Sequence, residues 1–502
     1  MATAQFEDQA KNLKTADFDV IVVGAGLSGI AAAHYLKTRA PQKTFTILEG
    51  RDRIGGTWDV FRFPGVRSDS DMHTLGYSFR PWQSAQSIGG GPEILQYIRD
   101  TARADDSERK IRFGHRVVKA SWNSIDGQWT LEVSVTGEKS VQRFTCRFLF
   151  MCSGYYDYAG GYSPEWPDRE RFKGRVVHPQ HWPADLDYAG KRIVIIGSGA
   201  TAVTLAPAMA EAAAHVTMLQ RSPTYIVALP RVDPIAAWVK QRLPARPAAA
   251  LLRWKNVLLG MWFFNYARKR PEKVKKLIAQ GVRRFLGPDY DLTHFTPSYN
   301  PWDQRLCLVP DADFFRSIHS GKVSVVTDHI EQFTETGLRL RSGKTLDADI
   351  IVSATGLQLQ MLGGMALEVD GKPIDLATKL SYKGMMYSDV PNLVSAFGYT
   401  NASWTLKCEL TARYACRLLN YMDAKRYAYG VPRRRDPSLG ERPALDFTSG
   451  YVLRARDILP KQGTRRPWRL YQNYVKDLVW LRFGRMADEA MEFVPKPGTV
   501  SK

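Results

Sequence analysis

The chain has 502 residues, of which 44% are hydrophobic and 24% charged, with a formal net charge of +20. This composition excludes a disordered or fibrous protein and allows two or three lobes with large cores. Five cysteines with no C-x-x-C pair exclude a disulfide scaffold or a thiolate metal centre, so free thiols, no metal and a reducing compartment are expected.

Residues 1–17 are polar and mixed in charge, without an apolar core ahead of a cleavage site, so no secretory signal is read and the expected location is cytoplasmic. A buried strand then runs into Gly24, Gly26 and Gly29, with Ser28 inside the turn, followed by an apolar helix and a strand closed by Glu49. In this arrangement the glycines let backbone approach a pyrophosphate at a helix amino terminus, and the acid accepts from a ribose hydroxyl. Gly55, Gly56, Thr57, Trp58 and Asp59 come next. Phe63, Pro64 and Gly65 then form a turn leading past Arg67 to Asp69.

A second strand, glycine turn and helix holds Gly197, Ser198, Gly199, Ala200, Thr201 and Ala202. Its next strand ends in Gln220 and Arg221 instead of an acid, and a guanidinium there suits the 2′-phosphate of NADPH. The first loop therefore reads as an FAD site and the second as an NADPH site. Between residues 240 and 284 thirteen basic residues face one acid, Glu272, a local balance of +12 among apolar residues at roughly helical spacing. This segment reads as a solvated basic face, with peripheral contact to anionic membrane as the alternative. No recognition helix or RNA-binding motif is found, so no nucleic-acid partner is expected.

An apolar strand at 348–356 reads as the return from an inserted domain. The expected fold is α/β, with two Rossmann-like dinucleotide-binding domains. Residues 1–154 form the first part of the FAD domain, 346–502 its second part and a carboxyl-terminal segment, and 155–345 the NADPH domain with a helical basic insertion at about 230–295.

Between the two loops, Phe172, Gly174, His178 and Trp182-Pro183 form an F-x-G-x-x-x-H-x-x-x-W-P run. With Gly55 to Asp69 this run resembles the signatures of type I Baeyer-Villiger monooxygenases, of the class B flavin-dependent group. Segments around Tyr299 to Cys307 and Gly398 to Trp404 look most like the ethionamide-activating subgroup and its long-chain alkane-utilisation relatives. The resemblance implies that NADPH reduces FAD, O2 adds at flavin C4a, and the resulting peroxyflavin inserts one oxygen atom into a hydrophobic ketone to give an ester or lactone. Oxidation of thioether or thioamide sulfur, or a long-chain hydrocarbon-related oxygenation, are alternatives. A non-catalytic flavin-binding protein at a membrane surface fits less well with an intact Arg305, Asp69 and both loops.

The resemblance makes Arg305 the catalytic guanidinium and Asp69 the acid that holds it. It implies flavin contacts at Ser28, Glu49, Thr57, Trp58, Asp59, Asp69 and Val117. NADPH contacts are implied at Gly197 through Ala202, Gln220 and Arg221, with Arg67 near the nicotinamide end. His178 and Trp182 are read as links between domains, since a histidine counts as a base only with reach to reacting atoms. Several relatives carry lysine where this chain has Gln304, so selectivity for NADPH leans on Arg221.

Overall fold

The computed structural model describes residues 16–445 and 447–496. The amino-terminal stretch read for a leader lies, up to residue 15, outside the described residues.

Two sheets carry the fold. At the centre of the first, Phe18–Val23 pairs in parallel with Phe45–Leu48 on one side and Val141–Met151 on the other. The last four residues of Phe18–Val23 are buried, as a central parallel strand covered on both faces requires. The front half of Val141–Met151 pairs antiparallel with Gln128–Val135, which pairs in turn with His115–Asn123. The helices Leu27–Arg39 and Trp404–Ala424 share one apolar core against this sheet, through residues such as Ile30, Leu36, Leu410 and Leu418.

The second sheet is wholly parallel, in the spatial order Val323–Thr327, His215–Gln220, Arg192–Ile196, Ile350–Ser353 and Arg175–Val177. This corrects the boundary expected at residue 345. Ile350–Ser353 lies inside the second sheet, and the chain rejoins the first only with Ala366–Val369 and Leu393–Ser395. A short apolar strand buried on both faces has the same composition in either sheet. Here the preceding Asp349 accepts from the backbone N–H of Arg192 at 2.7 Å and helps tie the strand to its neighbour.

Between Ile226–Leu229 and Cys307–Pro310, which pair in parallel, the chain forms the helices Pro234–Arg242, Ala245–Lys269 and Pro271–Leu286. Asp233 caps the first of these by accepting from the Ile235 and Ala236 amides, and proline at the first helical position starts the first and third. Ala245–Lys269 reaches across to the first domain. Its Arg253 pairs with Glu409 and donates to the Gly76 carbonyl, and Asn256 donates to Asp71. Glu409 also accepts from the Tyr35 hydroxyl and from the Ser78 amide and hydroxyl. The insertion thus interrupts the second domain in sequence, and its long helix Ala245–Lys269 is anchored on the first. No helix among the described residues is long and apolar enough to cross a membrane.

Candidate active site

A cavity of about 660 Å³ opens where strand ends of the two sheets approach each other, a size typical of small-molecule sites. Gly24 turns the chain there with a φ of +104°, and Gly29 lets the following helix lie against that turn. A methyl at Gly29 would stand 1.9 Å from the Gly24 carbonyl oxygen. Leu27–Arg39 begins after Gly26 with no side-chain cap and no acid in its first turn, and Ala200–Met209 begins the same way after Gly199. Each helix therefore leaves first-turn N–H groups and a positive dipole end to an anion. A methyl on Gly199 would meet nothing within 4 Å, so the space before the second helix can admit a ligand. These features fit two dinucleotides, one at each loop.

Most of the expected first-loop residues line the cavity: Gly24, Gly26, Ser28, Glu49, Gly56, Thr57, Trp58 and Val117. The Glu49 carboxylate accepts from the Ala25 amide at 2.7 Å and the Arg51 amide at 3.0 Å. Burial nevertheless raises its pKa, outweighing those two bonds. Ser28 accepts from the Trp404 indole N–H at 2.9 Å, and Thr57 lies 3.1 Å from the Tyr158 hydroxyl. On the second loop, Ala200 and Thr201 reach the same cavity. Gly197 ends the Arg192–Ile196 strand, and the Ser198 hydroxyl braces the loop against Ser222 and Thr224. Arg221 is exposed.

Three expected contacts point elsewhere. The Asp59 carboxylate is fully buried and shared by Arg51 at 2.7 Å, Arg62 at 3.1 Å and Arg99 at 3.5 Å. A carboxylate buried so deeply is tolerable only when charged partners take its lone pairs, so Asp59 ties its turn to the helix Gly91–Ala104 instead of facing the cavity. The Gln220 side chain, 2% exposed, donates to the His294 carbonyl and the Thr327 hydroxyl. Ala202 is sealed in the core behind its loop, which leaves only backbone for a ligand.

Asp69 and Arg305 meet on the cavity wall, with Asp69 Oδ2 3.0 Å from Arg305 Nε. Desolvation pulls the Arg305 pKa down, but Asp69 and the phenols of Tyr155, Tyr451 and Tyr156 more than offset it, so the guanidinium stays charged. Arg67 also lines the cavity and pairs with Asp313 of the second domain. Sequence reasoning missed an aromatic wall. The Tyr155 hydroxyl is 2.9 Å from that of Tyr156, and the Tyr155 ring stacks on Trp404 with centroids 5.0 Å apart. The available signal was position: Tyr155 and Tyr156 follow the carboxyl end of a parallel strand, where α/β sheets place ligands.

The run from Phe172 to Trp182 lies outside this cavity. It supplies the edge strand Arg175–Val177, with Phe172 edge-on to Phe333 and no room for a side chain at Gly174, whose added methyl would stand 2.5 Å from the Asp349 carbonyl oxygen. His178 accepts from the Gln180 amide through Nδ1, and burial lowers its pKa, outweighing the backbone groups of Gly356 and Tyr162 that favour the protonated ring. Gln180 donates to the Asp157 carbonyl at 2.7 Å and His181 bonds the Ala159 carbonyl at 3.2 Å. The run thereby grips the segment 157–159, which lines the cavity, while Trp182 packs at the edge of the second domain's core.

Known proteins resemble this chain in sequence and in fold. The pattern of flavin-binding monooxygenase-like proteins matches residues 90–244, and that of NAD(P)-binding Rossmann-like domains matches residues 22–85. The FAD-containing monooxygenase EthA of Mycobacterium tuberculosis is 52% identical across 97% of this chain and 99% of its own. The probable FAD-binding monooxygenase AlmA of Acinetobacter baylyi is 47% identical across 96% of this chain and 97% of its own. In fold, an oxidized steroid monooxygenase bound to NADP superposes with a TM-score of 0.73 at 21% identity, covering 95% of this chain and 99% of that one. A cyclohexanone monooxygenase from Rhodococcus sp. Phi1 bound to NADP+ gives 0.70 at 20% identity, with the same coverage. With about half of its residues identical over nearly the full length of both chains, the protein belongs to the flavin monooxygenase family of EthA and AlmA, FAD-containing oxidoreductases, and has the fold of the Baeyer-Villiger monooxygenases.

Proposed function

We propose that the protein uses NADPH and O2 to insert one oxygen atom into hydrophobic ketones, giving esters or lactones, and that it works as a peripheral protein at an anionic membrane surface. The observation that carries the reaction is the Arg305–Asp69 pair, 3.0 Å apart on a cavity reached by both glycine loops. FAD held in this cavity and reduced by NADPH would activate O2 for transfer of one of its oxygen atoms.

The chain supplies position and charge. The uncapped helix after Gly26, with Glu49, Thr57 and Trp58, would hold FAD, and the helix after Gly199, with Arg221, would hold NADPH. The FAD domain is then the first sheet with the residues after Gly356, and the NADPH domain is the second sheet. Arg305 offers a permanent, directional positive charge to the oxygen of a ketone as its carbonyl becomes tetrahedral. Asp69 fixes the direction of that guanidinium, and Arg67 steadies the stretch bearing Asp69 through its pair with Asp313. Tyr155, Tyr156 and Trp404 keep water from the reacting carbonyl, which strengthens the effect of a nearby charge. His178, outside the cavity, takes no part in proton handling.

The test is mass spectrometry of products after the yellow holoenzyme receives NADPH, air, a long-chain methyl ketone and an aryl methyl thioether together. Ester as the main product is expected. Sulfoxide alone would overturn the ketone assignment in favour of sulfur oxygenation.

A further inference from the structure

The insertion helix Ala245–Lys269 carries two apolar faces where a helix on a protein surface normally carries one. Ala248, Leu252, Val257 and Ala267 are buried against the protein. On the other side Leu251, Trp254, Leu258 and Trp262 recur at helical spacing as one continuous stripe, and each is 41–59% exposed. At 1.5 Å per residue the stripe runs about 16 Å, and Asn265 and Lys269 continue its line to the end of the helix. The preceding helix Pro234–Arg242 packs on this one and adds the exposed Ile235 and Trp238, with Arg242 stacked 4.4 Å from the Trp238 ring.

The basic residues of the segment divide into two sets. Arg253, Lys255, Arg268 and Lys275 are committed to Glu409, Asp233, Asp303 and Glu272, and Lys240 to the backbone carbonyls of Gln83 and Ser84. Arg242 and Arg246 stand exposed before the stripe, and Lys269, Arg270, Lys273 and Lys276 stand exposed at and beyond its end. Exposed tryptophans in line with leucines, with cations at both ends, match the chemistry of a bilayer boundary, where an indole is half apolar and half wet and lysine or arginine reaches phosphate. We infer that the Leu251–Trp254–Leu258–Trp262 stripe is a membrane-insertion face that lays this helix in the plane of an anionic bilayer.

Charge decides the occupant. A second copy of the chain would bring the same basic helix ends together, whereas anionic lipid complements them. The inference rests on the peripheral association proposed above and names the surface that produces it. The same helix touches the active-site loop, since its Phe264 meets Trp302, three residues before Arg305, edge-to-face at 5.3 Å.

The test compares FAD-loaded wild type with the Leu258→Glu/Trp262→Glu double variant in vesicle sedimentation. Vesicles of phosphatidylcholine with about 30% phosphatidylglycerol are set against phosphatidylcholine alone, at low salt and at about 0.5 M salt. Wild type is expected to pellet with the anionic vesicles and to remain partly bound in high salt, because apolar insertion is not screened. The variant should bind at least about tenfold less, with flavin content and NADPH oxidation unchanged. A variant that binds like wild type overturns the insertion face and leaves association through charge alone. Wild type that stays in the supernatant overturns both readings. Wild type that dimerises in gel filtration and binds no vesicles, beside a monomeric variant, overturns the inference and makes the stripe a subunit interface.

Discussion

Around the first glycine loop Ser28 and Glu49 are buried and Trp404 closes over the turn, whereas around the second Gly199, Ala200 and Arg221 stand exposed. The two loops share a plan of strand, glycine turn and uncapped helix. What differs is the cover, and cover governs exchange: a ligand enclosed by protein leaves only when the structure opens, while one held at an exposed helix end comes and goes. The first loop is therefore suited to a resident cofactor and the second to one that turns over, in keeping with the proposed placement of FAD and NADPH. Arg305, from the loop before Cys307–Pro310, serves the cavity common to both.

The sharpest way to separate cofactor holding from oxygen insertion is Arg305→Ala, which disturbs neither loop. Flavin reduction by NADPH, followed by stopped flow, should proceed near the wild-type rate. Ester formation should fall by about a hundred- to a thousandfold, the usual cost of losing a donor to a developing oxyanion. Unchanged ester yield would remove the guanidinium from the chemistry.

A matched pair of glycine substitutions addresses the cover itself. Gly29→Ala drives a methyl to 1.9 Å from a backbone oxygen, where nothing flexible can yield. It should cost about 3 kcal/mol and give protein with little bound flavin, read from visible absorbance and Tm. Gly199→Ala, at φ −77° and with open space before it, should keep stability within about 0.5 kcal/mol and full flavin content while raising KM for NADPH. Equal behaviour of the two variants would refute the contrast between the loops.

Arg221→Ala probes the open loop alone. KM for NADPH should rise by about tenfold and that for NADH should hardly change, as expected for loss of one charge-assisted contact to a phosphate. Parallel loss with both nucleotides would place the arginine's role elsewhere.

The smallest effect concerns the edge strand of the second domain. Burial keeps His178 below its ordinary pKa, so as pH falls through about 6.5 the unfolded chain takes up a proton that the folded chain refuses. Stability should therefore decline towards pH 5. His178→Gln should flatten that decline by less than about 1 kcal/mol in urea titrations at pH 7 and 5, with activity at neutral pH nearly intact. A large loss of activity at neutral pH would give His178 a chemical role.

Both glycine loops and Glu49 were legible because their signals are local: a glycine position, a strand end and a helix start lie within a few residues of each other, whereas Trp58 was implied only by the family resemblance. Arg305 and Asp69 were legible only as members of a family pattern, and their 3.0 Å contact is a product of the fold. Asp59 and Gln220 sit in the same motifs as true cavity residues, yet their side chains turn inward to Arg51 and to His294. Nothing adjacent in sequence announces that turn, because the partners come from other elements.

The sequence by itself determined two dinucleotide folds, the order of their loops and the residue types at each phosphate-binding turn, since glycine conformation and helix-end chemistry are properties of short backbone segments. Only the tertiary structure decided that Ile350–Ser353 joins the second sheet, that Tyr155 and Trp404 stack beside the cavity, and that the insertion helix leaves Trp254 and Trp262 facing water. Each of these depends on what packs against a residue from far along the chain, and apolar composition is the same whether that partner is protein or something else.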